Sequence, residues 1–230
     1  MQRKVLFTLS SLALLAVIAS CGSAEKSELR AQRALAIGEY AEAAAHYQHA
    51  YRLTPASDKA KRGRLSYALG ECHRRYGASS RALAAYRTAE RYHFTDTLTY
   101  LRIGQMAMLQ GDYKGALVAF ENQRKLSLEN NALAMAHQQA AQGVEQVQKA
   151  MAERGANSLY TVKSATLFNG NRSDYAPMLV GQGKEQQLYF TTTRSAVLGN
   201  DISGITAQKS GDVFYSQLDE KGRWKTPEPV

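Results

Sequence analysis

Residues 70–120 read GECHRRYGASSRALAAYRTAERYHFTDTLTYLRIGQMAMLQGDYKGALVAF, and this stretch contains one pattern twice. Four kinds of position recur at one fixed offset, namely Gly70 at Gly104, Gly77 at Gly111, Ala82 at Ala116 and Tyr86 at Phe120. The first glycine of each copy leaves room for a neighbouring helix, and the second suits the left-handed conformation that ends a helix. An alanine and an aromatic residue four positions apart lie on one helical face. Each copy therefore predicts two helices joined by a short turn.

This period of about 34 residues resembles that of tetratricopeptide (TPR) repeats, whose units are helical hairpins. A third copy lies upstream at a slightly longer offset, with its glycine, alanine and tyrosine at Gly38, Ala43 and Tyr47. An alanine-rich stretch over residues 131–154 has one apolar and one polar side, which is typical of the helix that closes a solenoid. A helical bundle with chance spacing is the alternative. We predict three helical hairpins and a capping helix over residues 28–155.

The first 20 residues have the parts of a secretory signal: two basic residues, an apolar core over residues 5–18 and small residues at the end. The segment Ile18-Ala19-Ser20-Cys21 resembles the lipobox of bacterial lipoproteins. The resemblance implies cleavage after residue 20 and several acyl chains on Cys21, which together anchor a protein firmly. An ordinary signal peptide is the alternative. We expect residues 21–27 to form a lipidated polar tether and, since Gly22 is not an aspartate, we expect the periplasmic face of the outer membrane.

The hydrophobic period changes after residue 155. Four short runs have strand composition and are separated by turn signals, at residues 160–168, 175–180, 187–193 and 212–218. The runs Leu188–Phe190 and Val213–Tyr215 place apolar side chains on both faces of their strands, so both faces need to be covered. A blade of a β-propeller meets that condition, because it packs between neighbouring blades. The predicted fold class is therefore α+β.

The motifs in this second part resemble one blade of a WD40-like (PD40) propeller, and they are Ser173–Pro177, Leu188–Thr191, Asp212–Ser216 and Gly222–Pro227. The order of lipobox, TPR hairpins and PD40 blade resembles PorE-like outer-membrane lipoproteins of the type IX secretion system. That family implies further blades, a carboxypeptidase-regulatory-like fold and an OmpA-type domain that binds peptidoglycan. The sequence ends at Val230, about one blade in, so we expect residues 156–230 to form a first blade that is incomplete.

Composition and motifs also exclude several classes of function. The formal net charge is +9, but the basic residues are spread along the chain and no aromatic-and-basic motif accompanies them, so we expect no nucleic-acid partner. His46 and His49 are three positions apart without a third ligand, and no serine lies in a nucleophile elbow. Residues 200–204 favour a polar turn over a calcium loop. We expect no catalytic site, metal or cofactor.

The resemblance implies a non-enzymatic scaffold that lipid holds to the membrane while the hairpins present a groove to a partner protein. The implied partners are other secretion components, including a PorP-like outer-membrane protein, and peptidoglycan would bind only through a domain beyond residue 230. The basic residues Arg64, Arg74 and Arg102 lie on predicted first helices, and we expect them to bind the partner. Two alternatives stay open: a lipoprotein of outer-membrane protein assembly or of the peptidoglycan-linked envelope, and the N-terminal part of a periplasmic hydrolase.

Overall fold

The computed structural model describes residues 23–94, 98–128, 133–153, 163–194, 196–197 and 199–230. The predicted signal peptide and Cys21 lie outside these described residues. The chain divides into two compact units, and the division falls between residues 156 and 157. We call them the helical unit and the β unit. Within the described ranges, no helix combines the length and the apolar character that a membrane span requires.

The helical unit consists of consecutive antiparallel helices. They are α1 (residues 23–36), α2 (Tyr40–Leu53), α3 (Lys59–Arg75), α4 (Ser79–Arg91), α5 (Thr99–Leu109), α6 (Tyr113–Leu128) and α7 (Ala134–Glu153). The first six pair as three hairpins, and α7 packs on α6 and also contacts α5. These seven helices of the described chain form a TPR-like arrangement, and a sheet follows them. The predicted fold class, α+β with helical hairpins first, is confirmed.

Each hairpin turns at a glycine whose backbone conformation would be strained in any residue with an L side chain. Gly38, Gly77 and Gly111 follow α1, α3 and α5 with φ values of +83°, +81° and +72°. The amide of the residue after Gly77 donates a hydrogen bond back into the last turn of α3, to the His73 carbonyl oxygen at 2.9 Å. This geometry satisfies carbonyl groups that the helix end would otherwise leave open.

The small and aromatic positions of the repeat pack against each other across the hairpins. Ala43, Ala82 and Ala116 are fully buried, and the aromatic rings of Tyr47, Tyr86 and Phe120 are buried beside them. A β-carbon added at Gly70 would lie 2.6 Å from the Tyr86 ring, and one added at Gly104 would lie 2.6 Å from the Phe120 ring. Such contacts are shorter than van der Waals distance, so only glycine permits the helices to approach this closely.

The predicted tether is wrong for residues 23–27, which belong to α1. Ala24, Ser27 and Glu28 are buried, with exposed fractions of 1%, 6% and 7%. The Glu28 carboxylate pairs with the guanidinium of Arg64 on α3. This contact and the burial of Ala24 stabilise the first turns of α1 although the local composition is polar.

The β unit is a four-stranded antiparallel sheet with strands in chain order. They are β1 (Asp174–Val180), β2 (Gln187–Thr192), β3 (Asp212–Gln217) and β4 (Glu228–Pro229). The predicted strand over residues 160–168 is wrong for the described residues 163–168, which form no strand. Instead the Phe168 ring packs edge-to-face on Phe190 and Trp224, and a turn places it there.

The two faces of this sheet differ in how they are covered. Phe190 and Phe214 are buried on one face, and the guanidinium carbon of Arg194 lies 5.1 and 5.2 Å from the centroids of their rings. On the other face Met178 and Val213 have exposed fractions of 57% and 47%. The register pairs Met178 with Tyr189 and Tyr189 with Tyr215, so this apolar face spans three strands.

Candidate partner-binding groove

A groove runs along the first helices of successive hairpins. Between α3, α5 and α7 it forms a cavity of about 580 Å³. We call this cavity the first-helix groove. Its apolar part is Met106, Met108, Leu109 and Phe120, and its polar part is Arg74, Gln105, Gln139, Gln142 and Gln146, with Gly143 between them. The site therefore crosses three repeat units rather than belonging to one.

The Phe120 ring lies at the base of the groove, almost fully buried between two glycines. A β-carbon at Gly104 on α5 would lie 2.6 Å from one side of the ring, and a β-carbon at Gly143 on α7 would lie 2.7 Å from another. The two helices can therefore close on the ring from both sides, although it belongs to α6. Gly143 follows Gly104 at the same offset at which Ala82 follows Ala43. That spacing was a signal for Gly143 which the sequence interpretation missed.

Beside the groove, one carboxylate holds three helices together. Glu71 on α3 accepts hydrogen bonds from Tyr86 Oη on α4 at 2.7 Å and from Arg102 Nε on α5 at 3.0 Å. Its second oxygen accepts a bond from Arg74 Nη2 at 2.7 Å. Arg102 also donates to Gln105 Oε1 at 3.0 Å. We call Glu71, Arg74, Tyr86 and Arg102 the Glu71 cluster.

The electrostatics of the Glu71 cluster follow from these contacts. Burial alone would raise the pKa of Glu71, but hydrogen bonds from Arg74 and Tyr86 and the charge of Arg102 outweigh it, so the pKa is lowered. Burial, and then the hydrogen bond to Glu71, raise the pKa of Tyr86. The carboxylate is therefore ionised and the phenol protonated over the ordinary pH range.

The predicted partner-binding arginines do lie on first helices, but each has an acidic partner within the chain. Arg64 pairs with Glu28, and both Arg74 and Arg102 pair with Glu71. Arg74 lines the first-helix groove, whereas Arg64 lines a separate cavity of about 790 Å³ near the starts of α1 and α3. Glu28 compensates the charge of Arg64, whereas Arg74 and Arg102 share the single charge of Glu71. Contact of the three arginines with a partner stays a prediction.

The contact between Arg102 and Glu71 shows why the sequence interpretation missed these ion pairs. The two residues are 31 positions apart in the chain and lie on helices of different hairpins. A helical pattern relates residues three or four positions apart, so it could not predict this contact.

A buried glutamine was also missed. Gln123 follows the buried Ala89 at the repeat period, and its own side chain is fully buried. Its Oε1 accepts a hydrogen bond from the backbone amide of Leu101 at 3.0 Å, and its Nε2 donates to Ser127 Oγ at 3.2 Å. It therefore ties the start of α5 to α6.

The remaining polar residues of the sequence analysis take structural positions. His46 lies 3.5 Å from Glu42 on the same helix. Asn200 Oδ1 accepts a hydrogen bond from Lys209 Nζ at 3.3 Å, so a lysine ammonium group lies beside that turn. Among the described residues, no group of three or more histidine, cysteine, aspartate or glutamate side chains is arranged to hold a metal ion.

Known proteins resemble this chain in structure but not detectably in sequence. No protein family model and no curated protein matches it. A chain of a T3SS complex from Aeromonas hydrophila is 18% identical over 57% of this chain and 84% of that chain, with a TM-score of 0.50. PcrH in complex with the chaperone binding region of PopD is 20% identical over 55% and 92%, with a TM-score of 0.48. The TPR2B domain of yeast Sti1, in its pHsp70 complex, is 16% identical over 56% and 98%, with a TM-score of 0.47. The Aeromonas chain shares the fold of this protein over the part that the match covers.

Proposed function

We propose that this protein is a non-enzymatic adaptor that binds a segment of a partner protein in the first-helix groove. The observation that carries the proposal is the groove itself, which stays open across α3, α5 and α7 with apolar and hydrogen-bonding groups side by side. Leu109 lines it and is 69% exposed, beside Met106 and Met108 of the same helix. A bound segment would cover this side chain.

The adaptor is lipid-anchored in this proposal. The support is the segment Ile18–Cys21, whose resemblance to a lipobox implies an acylated residue two positions before the first helix. The anchor, together with a glycine and not an aspartate at position 22, favours the periplasmic side of the outer membrane. This is the location we propose.

Within the envelope, we assign the protein to type IX secretion, as a PorE-like component with a PorP-like outer-membrane protein as partner. The support is the order of lipobox, hairpin repeats and PD40-like motifs along the chain. The exposed apolar face of the sheet, around Met178 and Val213, fits a propeller blade that packs against another blade. Such contiguous apolar surface is rare on a sheet that remains uncovered.

Site-specific photocrosslinking in the native host tests the adaptor. A photoreactive amino acid is placed at Leu109 in the groove or at Leu128, which is equally exposed at 69% but lies at the far end of α6. We expect an adduct with a secretion component or an outer-membrane protein from position 109 only. Equal adducts from both positions, or none from position 109, would contradict groove binding, and a partner outside the secretion system would contradict the type IX assignment.

Fractionation and mass spectrometry test the anchor. Cys21→Ser is expected to leave the protein uncleaved or free of acyl chains, with loss of firm attachment to outer-membrane fractions. Cys72→Ala serves as the control, because Cys72 is the buried free cysteine of the described chain and does not affect acylation. Wild-type protein with an unmodified Cys21 thiol would rule out the anchor and leave the groove proposal standing.

A further inference from the structure

The chemistry of the first-helix groove indicates which kind of segment it binds, and this inference rests on the function proposed above. Among its described lining residues, Arg74 alone carries a charge, and its guanidinium donates two hydrogen bonds to Glu71. The whole chain has a formal net charge of +9. The described lining therefore carries one cation, which Glu71 partly compensates, in a protein that is otherwise basic.

The polar wall consists of carboxamides. Gln139, Gln142 and Gln146 are exposed on one side of α7, and Gln105 lines the groove from α5. Each carboxamide has a donor and an acceptor, which is the combination that an amide of a peptide backbone also offers. Gln139 and Gln146 are seven positions apart on the helix. This is a rise of about 10 Å, which corresponds to roughly three residues of extended chain.

The apolar part lies directly beside this wall. Met108 is half-buried, Leu109 is exposed, and the Phe120 ring forms the base of the groove between Gly104 and Gly143. Methionine side chains are flexible and polarisable, so they adapt to apolar partners of different shape. The groove thus offers a place for an apolar side chain next to groups that can bond a backbone.

We propose that the first-helix groove binds an extended, uncharged peptide segment, with backbone amides hydrogen-bonded to the α7 glutamines and an apolar side chain against Met108 and Leu109, above the buried Phe120 ring. Charge complementarity argues for this occupant. An acidic side chain in the groove would compete with Glu71 for the arginines, and a basic one would meet no carboxylate among the lining residues. A basic side chain would lose water without gaining a partner, and an acidic one would gain an arginine only by displacing Glu71, so an uncharged segment fits the groove better.

Selection from a random dodecapeptide phage library on the mature protein is the first test. We expect the enriched peptides to contain apolar residues and few charged ones. Enrichment of peptides with clustered aspartate, glutamate, lysine or arginine that still bind the groove would overturn the inference and spare the proposed function. Failure to enrich any peptide would count against both.

The selected peptide with the highest affinity, labelled with fluorescein, then serves as the probe in anisotropy titrations. Gln142→Glu is expected to raise its Kd about tenfold or more, since the bound peptide would bury a charge against an uncharged partner. Gln148→Glu adds the same charge to the same helix but does not line the groove, so its Kd should stay within about twofold. Equal effects of the two variants would place the peptide elsewhere and contradict the groove proposal.

A second pair of variants tests the apolar contact without adding charge. Leu109→Ser is expected to weaken binding of the same peptide about tenfold, which is the loss expected when one leucine contact of the interface is removed. Leu128→Ser removes a side chain of the same exposure, 69%, outside the groove. An unchanged Kd for Leu109→Ser, with native ellipticity, would show that no apolar side chain binds there.

Discussion

Gly104 and Phe120 illustrate how single residues set the distance between helices. The absence of a β-carbon at Gly104 lets α5 approach the Phe120 ring, and the same holds for Gly143 on α7. Alanine is the better helix former by about 1 kcal/mol, so propensity alone would favour replacement of these glycines. Packing has the opposite effect on stability, and the close contact with the Phe120 ring outweighs the gain in helix propensity.

Gly104→Ala is therefore expected to destabilise the helical unit by about 1 kcal/mol, which is the middle of an overpacking cost of about 1–3 kcal/mol less a propensity gain of about 1 kcal/mol. Urea unfolding followed by ellipticity at 222 nm measures the free energy of unfolding. The control is a double-mutant cycle with Phe120→Leu, in which the smaller side chain should remove most of the penalty. A stabilised Gly104→Ala protein would show that the two helices separate easily.

Glu71 provides a prediction that depends on pH. Because the folded protein holds the pKa of Glu71 below its value in the unfolded chain, the stabilisation is present above pH 4.5, the ordinary value, and is lost as pH falls through the folded pKa. Glu71→Gln should cost about 2 kcal/mol at pH 7, since it leaves Arg74 and Arg102 without their carboxylate. The difference from wild type should shrink below about pH 4.5.

Chemical denaturation at pH 7 and pH 3.5 measures this difference. Glu145→Gln is the matched control, because Glu145 is exposed on α7, and it should change stability by less than about 0.5 kcal/mol at either pH. A penalty for Glu71→Gln that is equal at both values of pH would mean that the carboxylate charge does not contribute to the stability of the folded protein.

The residue scale also separates what the sequence could predict from what it could not. The pairs of Gly70 with Tyr86 and Gly104 with Phe120 follow from a fixed period, because each repeat must bury the same positions. The Glu71 cluster depends on how α3, α4 and α5 cross, and no local spacing encodes that geometry.

At the scale of elements, α7 closes the array of described helices with one buried side. Val147 is fully buried on α7, whereas Val118 on α6 is 57% exposed. Val147→Ala removes two buried methyl groups and should lower the free energy of unfolding by about 1–2 kcal/mol. Val118→Ala makes the same chemical change at an exposed site, and its effect should stay within about 0.5 kcal/mol. Equal effects in urea unfolding would mean that α7 does not pack on the hairpins in solution.

Two elements differ from the sequence interpretation for the same physical reason. Residues 23–27 are polar in composition, yet they are helical because Ala24 is buried and Glu28 meets Arg64. Residues 163–168 have strand composition, yet Phe168 packs against Phe190 and Trp224 from a turn. In both segments tertiary contacts outweigh local propensity, which is a weak determinant over so few residues.

At the scale of the whole molecule, the two units have separate buried clusters and separate optical probes. Helices dominate ellipticity at 222 nm, and Trp224, the one tryptophan of the sequence, packs in the β unit against Phe168. We expect the urea transition seen by tryptophan fluorescence to precede the transition seen by ellipticity, because a small sheet with an exposed apolar face is marginally stable. Coincident transitions would indicate that the two units unfold together.

Arg194→Lys should shift the fluorescence transition alone to lower urea. Arg194 Nη2 donates hydrogen bonds to Asp174 Oδ1 at 3.0 Å and to the Phe168 carbonyl oxygen at 2.8 Å, and lysine cannot keep both bonds and the ring contacts. Arg172→Lys makes the same chemical change at an exposed position of the β unit, and this control should leave the transition unchanged. A shift of the ellipticity transition by Arg194→Lys would contradict this assignment.

If Cys21 is acylated as proposed above, the helical character of residue 23 limits the distance between the helical unit and the bilayer. Two residues of fully extended chain reach at most about 7 Å, so the proposed acylation of Cys21 would hold residue 23 within about that distance of the modified cysteine. The first helix of the repeats would then begin close to the lipid headgroups. A partner protein would then bind near the membrane surface, because no long flexible linker would join the lipid to the helical unit.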